Sequence, residues 1–140
     1  MVRYERLISL FEHHTTIANN RNPYANISSR LYRNHDTETI SKKERKEIME
    51  QLALKWIKWS DIIKTLTVKH NIPFLSYERF CERPDLLKNI LKLPLGVVES
   101  IDFKAKVKVK DYKEQSIINQ NERQISKFTK DEIEIIGKIL

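Results

Sequence analysis

Two glycines in 140 residues, Gly96 and Gly137, leave this chain without the glycine-rich loops that let backbone amides close on a phosphate. At an average usage of about 7%, roughly ten would be expected. Neither Gly-x-x-x-x-Gly-Lys-Ser/Thr nor Gly-x-Gly-x-x-Gly can be written from the sequence, so a self-contained nucleotide hydrolase or a Rossmann dehydrogenase is not expected. The single cysteine, Cys81, excludes an intrachain disulfide and a multi-cysteine zinc site. It fits a reducing compartment, and the cytoplasm is the expected location. No metal site is expected, and no membrane contact, because the apolar runs are short and the first residues are too charged for a signal peptide.

The formal charge is +7, from 26 Lys+Arg against 19 Asp+Glu. Its distribution decides whether it points to nucleic acid. Residues 1–35 hold five basic and two acidic side chains, 36–100 hold twelve and ten, and 101–140 hold nine and seven. The excess is scattered, with one local concentration at Lys104, Lys106, Lys108, Lys110 and Lys113. A scattered excess suits a small anionic ligand at least as well as a duplex, and nucleic acid is not the expected partner.

Periodicity and caps give the order of elements. Leu7, Ile8, Leu10 and Phe11 mark a short opening helix, and Thr15 to Asn20 reads as a strand. Asn22 before Pro23 is an N-cap before a first-turn proline, predicting a helix from about Pro23 to Tyr32 with Ile27 and Leu31 inward. Ser41 with Glu44 forms a capping-box pattern. It opens a long amphipathic helix, with Ile48, Leu52, Trp56, Trp59, Ile63 and Leu66 inward, to about Lys69. Pro73 to Tyr77 reads as a short buried strand, and Pro84 opens a helix through Leu91 that ends at Pro94 and Gly96. From Ile101 the pattern alternates as Phe103, Ala105, Val107 and Val109 between lysines, either an edge strand or an extended loop over a ligand. Thr129 with Glu132 is a second capping box, before a helix carrying Ile133, Ile136 and Ile139. Helices alternating with strands indicate an α/β fold with a parallel sheet layered by helices. Two strands are too few for such a sheet, so the fold is expected to be incomplete and helix-rich.

The chemistry concentrates at Arg21 to Arg30, where a strand is expected to end and a helix to begin. Ligands of open α/β sheets sit at that end of the strands, and free helix N-terminal amides favour anions. Arg21 offers a planar fork for a phosphate, and Ser29 a hydroxyl two turns on. Arg21 as a plain sheet-edge cap and Ser29 as a small helix residue is the competing reading.

The segment Arg21-Asn22-Pro23, with a serine eight residues after the arginine, resembles the second nucleotide motif of the sulfotransferases that use 3′-phosphoadenosine 5′-phosphosulfate. Leu75-Ser76-Tyr77-Glu78-Arg79-Phe80 with Arg83-Pro84 is similar to the family's strand-ending Tyr-Glu-Asp-Leu element. Asp111-Tyr112-Lys113 and Asn119-Gln120-Asn121-Glu122-Arg123 resemble its Asp-Trp-Lys and Gln-Asn-Glu-Arg pieces. The resemblance implies that Arg21 and Ser29 hold the 3′-phosphate and that Tyr77 lies near the adenine. The family's Arg-Lys-Gly loop over that phosphate falls on Ala105-Lys106-Val107, of which only Lys106 agrees.

It further implies a P-loop-NTPase-like three-layer fold and, over residues 1–140, a partial sulfotransferase domain of central to C-terminal origin. The co-substrate would be 3′-phosphoadenosine 5′-phosphosulfate, with adenosine 3′,5′-bisphosphate as product and a hydroxyl or amine as acceptor. The family's phosphosulfate-gripping loop and catalytic base lie upstream of its Arg-Asn-Pro motif. No such loop precedes Arg21, and His13 and His14 lie too near it to match that base, so no catalytic residue is assigned. The chain is expected to be truncated and inactive by itself, to pair with a missing N-terminal part, or to self-associate. Two other classes remain open: a small basic nucleic-acid-binding protein acting through Lys104 to Lys113, and a catalytically dead interaction module.

Overall fold

The computed structural model describes residues 10, 15–91, 95–106, 108 and 114–140. The expected opening helix at Leu7, Ile8 and Phe11 lies outside the described residues, as do Val107, Val109 and Asp111 to Lys113. Seven helices are described: α1 Pro23–Asn34, α2 Lys42–Lys69, α3 Tyr77–Glu82, α4 Leu86–Leu91, α5 Leu95–Ser100, α6 Asn121–Ile125 and α7 Lys130–Gly137. The chain divides into two compact units, residues 1–19 with 62–118 and residues 20–61 with 119–140.

The three-layer parallel sheet expected from the α/β alternation is not formed: the described residues are helix-rich and hold no sheet. The two segments read as strands do meet, in parallel, but only as an isolated bridge between Ala18 and Phe74. Ala18 donates its N–H to the Pro73 carbonyl at 2.9 Å and accepts from Leu75 N–H at 3.0 Å. The pairing stops because local groups take over the next backbone positions. Asn19 Nδ2 donates to the Leu75 carbonyl at 2.6 Å. Ser76 Oγ accepts from Arg79 N–H as an N-cap, which turns Tyr77 into the first residue of α3 rather than the last of a strand. Pro73 has no N–H to offer a ladder, and Phe74 is half exposed where a central strand would be buried.

Two other expectations change in the same unit, and the alternating segment takes the loop rather than the strand of its two alternatives over its first residues. Leu86 and Leu87 donate to the carbonyls of Arg83 and Pro84 in a turn, so α4 begins two residues after Pro84. Gly96 lies inside α5 rather than ending a helix. At the alternating segment, Lys104 N–H bonds Asp102 Oδ1 at 2.8 Å and Ala105 N–H bonds the Asp102 carbonyl. That Asx turn replaces an edge strand over its first residues. The end of α2 is set by Asn71, which takes a positive φ of 49°. Ile72 N–H then reaches back to the Thr67 carbonyl at 3.0 Å, a Schellman closure that asparagine tolerates.

The second unit holds a core of Ile27, Leu31, Met49, Ala53, Phe128 and Ile136. Asn22 Oδ1 accepts from Ala25 N–H and Pro23 sits in the first turn, so α1 starts where its sequence predicts. It runs two residues past the expected end. Ala25, Ile27, Ser28 and Leu31 face inward, and α1 packs on α6. Ser28 Oγ donates to the Gln124 carbonyl at 2.6 Å. Ser28→Ala removes that bond, leaving the Gln124 carbonyl its backbone bond from Lys127 N–H at 3.3 Å, and lowers stability by about 1 kcal/mol. A urea midpoint unchanged in the variant would count against the bond's role.

Within α2 the buried residues are Met49 and Ala53, and Trp59, expected inward, is 52% exposed. The capping box at Thr129 and Glu132 is complete in α7. Glu132 also accepts from Arg45 Nε at 2.5 Å, which ties α7 to α2. No described helix is long and apolar enough to cross a membrane.

Candidate functional site

α1 presents two faces at helical spacing. Tyr24, Ile27, Ser28 and Leu31 form one stripe against the core, and Asn26, Ser29, Arg30 and Arg33 form another. The rotation of one residue separates the two serines: Ser28 is fully buried in a structural bond, and Ser29 lies on the polar stripe. That stripe, with Arg21 and Asn34, lines a recess of about 300 Å³. Three of its six lining residues are arginines and none is a carboxylate.

Arg21 is set in place from three directions. Its N–H donates to Asn20 Oδ1 at 2.9 Å and its carbonyl accepts from Trp56 Nε1 at 3.1 Å. Its Nε donates to Asn121 Oδ1 at 2.7 Å. Asn121 is 7% exposed, and its own N–H bonds Asn119 Oδ1 at 2.9 Å. Arg30 is steadied along the helix, where its Nε donates to Asn26 Oδ1 at 2.9 Å. Side chains anchored in this way lose less freedom when they engage an anion.

The recess differs from the anion site expected at a bare helix N-terminus. Asn22 takes the Ala25 amide with its side chain and the Asn26 amide with its carbonyl, so the recess is built from side chains along α1. Arg21 and Ser29, expected together, line the same recess. Tyr77 and Lys106 belong to the other unit. Tyr77 Oη donates to the Ile118 carbonyl at 3.1 Å. Lys106 is exposed and outside any helix or strand, as are Lys104 and Lys108. His13 and His14 lie outside the described residues, and no described group of His, Cys, Asp and Glu side chains could hold a metal ion.

Sequence reasoning passed over Arg30, Arg33 and Asn26. Arg30 and Arg33 lie four and seven positions after Asn26, as Ser29 lies three after it, and that spacing is the available signal, since it places all four on one side of α1. Asn121 as a support for Arg21 had no local signal, because the two are 100 residues apart. In comparisons with known proteins, no family model, no curated protein and no solved structure matches the chain.

Proposed function

We propose that the recess along α1 binds the 3′-phosphate of an adenine nucleotide, and that the chain is of the sulfotransferase type that draws on 3′-phosphoadenosine 5′-phosphosulfate. The observation that carries this reading is the meeting of Arg21 and Ser29 in one recess with Arg30 and Arg33 and without a carboxylate. A phosphate dianion matches the planar fork of a guanidinium, and hydrogen bonds with an ionised donor or acceptor are about twice as strong as neutral ones. The Ser29 hydroxyl supplies a further donor. Support also comes from the Arg21 to Asn121 bond, which joins two segments that the family resemblance singled out separately.

The recess and the segments at Arg21 to Ser29, Leu75 to Phe80 and Asn119 to Arg123 support this function without a sheet. In sulfonate transfer the acceptor attacks sulfur in line while the nucleotide's bridging oxygen leaves, so a firm grip on the nucleotide supplies positioning. No described side chain is assigned as the base that would take the acceptor's proton.

Calorimetric titration with adenosine 3′,5′-bisphosphate tests the proposal. Arg21→Ala weakens binding at least tenfold, and Ser29→Ala weakens it less while leaving the melting temperature unchanged. Adenosine 5′-monophosphate, which lacks the 3′-phosphate, binds at least tenfold more weakly than the bisphosphate. Equal affinity for the two nucleotides, or an unchanged affinity in Arg21→Ala, sinks the assignment.

A further inference from the structure

A second cavity lies in the same unit, bounded by the end of α1, the first turns of α2 and the start of α7. Its volume is about 660 Å³, within the roughly 300–1,000 Å³ typical of small-molecule sites. The apolar part of its wall comes from Ile40, Met49 and Ile135, with Met49 only 1% exposed.

The charged part is unbalanced. Four cationic side chains, Lys42, Arg45, Lys46 and Lys127, face two carboxylates, Asp131 and Glu132. Glu132 is already engaged by Arg45. Lys127 lies over the Tyr32 ring, its Nζ 4.8 Å from the centroid, and the Arg45 guanidinium approaches the same ring at 5.2 Å. Lys46 touches Glu50 at 3.8 Å in an exposed pair, a geometry that neutralises little. Lys42 and Lys46 are thus two exposed ammonium groups one turn apart, above an apolar floor and beside an aromatic ring.

A free inorganic anion would leave that floor unused, and a neutral apolar molecule would leave Lys42 without a counter-charge and Lys46 with only its exposed contact to Glu50. We infer that this cavity binds an organic anion with an apolar body, of the aryl or alkyl carboxylate, sulfonate or sulfate class, its charge between Lys42 and Lys46 and its body against Ile40, Met49 and Ile135. The cavity shares no lining residue with the Arg21 recess, so this inference stands apart from the nucleotide proposal.

The test uses the full chain and anilinonaphthalene sulfonate as the probe, with its uncharged counterpart phenylnaphthylamine beside it, both followed by fluorescence. The sulfonate binds saturably at one site, and the uncharged molecule binds at least fivefold more weakly. Lys42→Glu with Lys46→Glu weakens sulfonate binding at least tenfold. The matched control, Lys55→Glu with Lys58→Glu, makes the same change in net charge on exposed positions of α2 outside the cavity and leaves affinity within twofold. Arg21→Ala also leaves it within twofold. Circular dichroism melts verify that each variant is folded, and Lys42→Gln with Lys46→Gln replaces the reversal if that variant does not fold. Equal losses in the matched control, affinity retained without the two lysines, or no saturable binding overturns the inference.

Discussion

Replacing Leu31 by alanine lowers the stability of the folded chain by about 2–5 kcal/mol, the range for truncating a leucine with no exposure left. Leu31 is 0% exposed and sits in the cluster with Ile27, Met49, Ala53, Phe128 and Ile136, which joins α1, α2 and α7. The loss combines the transfer of the removed carbons with the cavity left among neighbours on three helices, which cannot all close on it. Leu54 on α2 is the comparison, since it is 59% exposed and its truncation removes little buried surface. Leu54→Ala is expected to change stability by less than about 1 kcal/mol. Urea unfolding followed by far-ultraviolet dichroism distinguishes the two, and similar midpoints for both variants would show that the cluster is not the core of this unit.

Glu132→Ala is expected to cost about 2 kcal/mol, because one carboxylate serves two structures. Oε2 accepts from Thr129 N–H at 2.8 Å in the capping box, and Oε1 accepts from Arg45 Nε. The Arg45 side chain is 17% exposed, so the variant leaves a partly desolvated guanidinium without its carboxylate. The carboxyl also carries a pH signature. Burial pushes its pKa up, and the hydrogen bonds from Arg45 and from the Thr129 backbone more than offset this, holding it below the ordinary value of 4.5. A carboxyl depressed in the folded state contributes stability that is fully present above its unfolded value and is lost as pH falls through the folded value. Stability measured from pH 7 downward therefore drops on the acid side of about 4.5 in the parent chain. It drops less steeply in Glu132→Gln, where that carboxyl no longer titrates. Parallel acid limbs for the two proteins would remove Glu132 as a source of acid sensitivity.

The parts of the fold legible in the sequence are those set within a few residues. Asn22 with Pro23, Ser41 with Glu44 and Thr129 with Glu132 each satisfy backbone amides next to themselves, and all three helix starts stand where those residues put them. The helix faces were less legible. Of the expected stripe on α2, Ile48 and Leu52 do pack against the core, whereas Trp59 is exposed and the fully buried positions are Met49 and Ala53, because the choice of face is trimmed by α1 and α7 rather than by α2's own pattern. The sheet was least legible. An apolar run such as Pro73 to Tyr77 has no way of displaying whether a partner strand will continue the ladder beyond one bridge. Asn19 takes the Leu75 carbonyl that a ladder would have used, and Ser76 caps α3 so that the chain coils at Tyr77. At the candidate site, the sequence held Arg21 and Ser29 but not which of two adjacent serines would face outward. That depended on the burial of Ser28 against α6.

The bond between Arg21 and Asn121 bridges 100 positions of the chain. Closing so long a loop is entropically costly and slow compared with forming a helix turn. On a growing polypeptide, α1 can cap itself and coil as soon as it emerges, whereas the guanidinium of Arg21 waits for its partner until synthesis has passed Asn121. The anchored position of Arg21 at the edge of the recess is thereby among the later features of its unit to form, after the other lining residues have already coiled into α1.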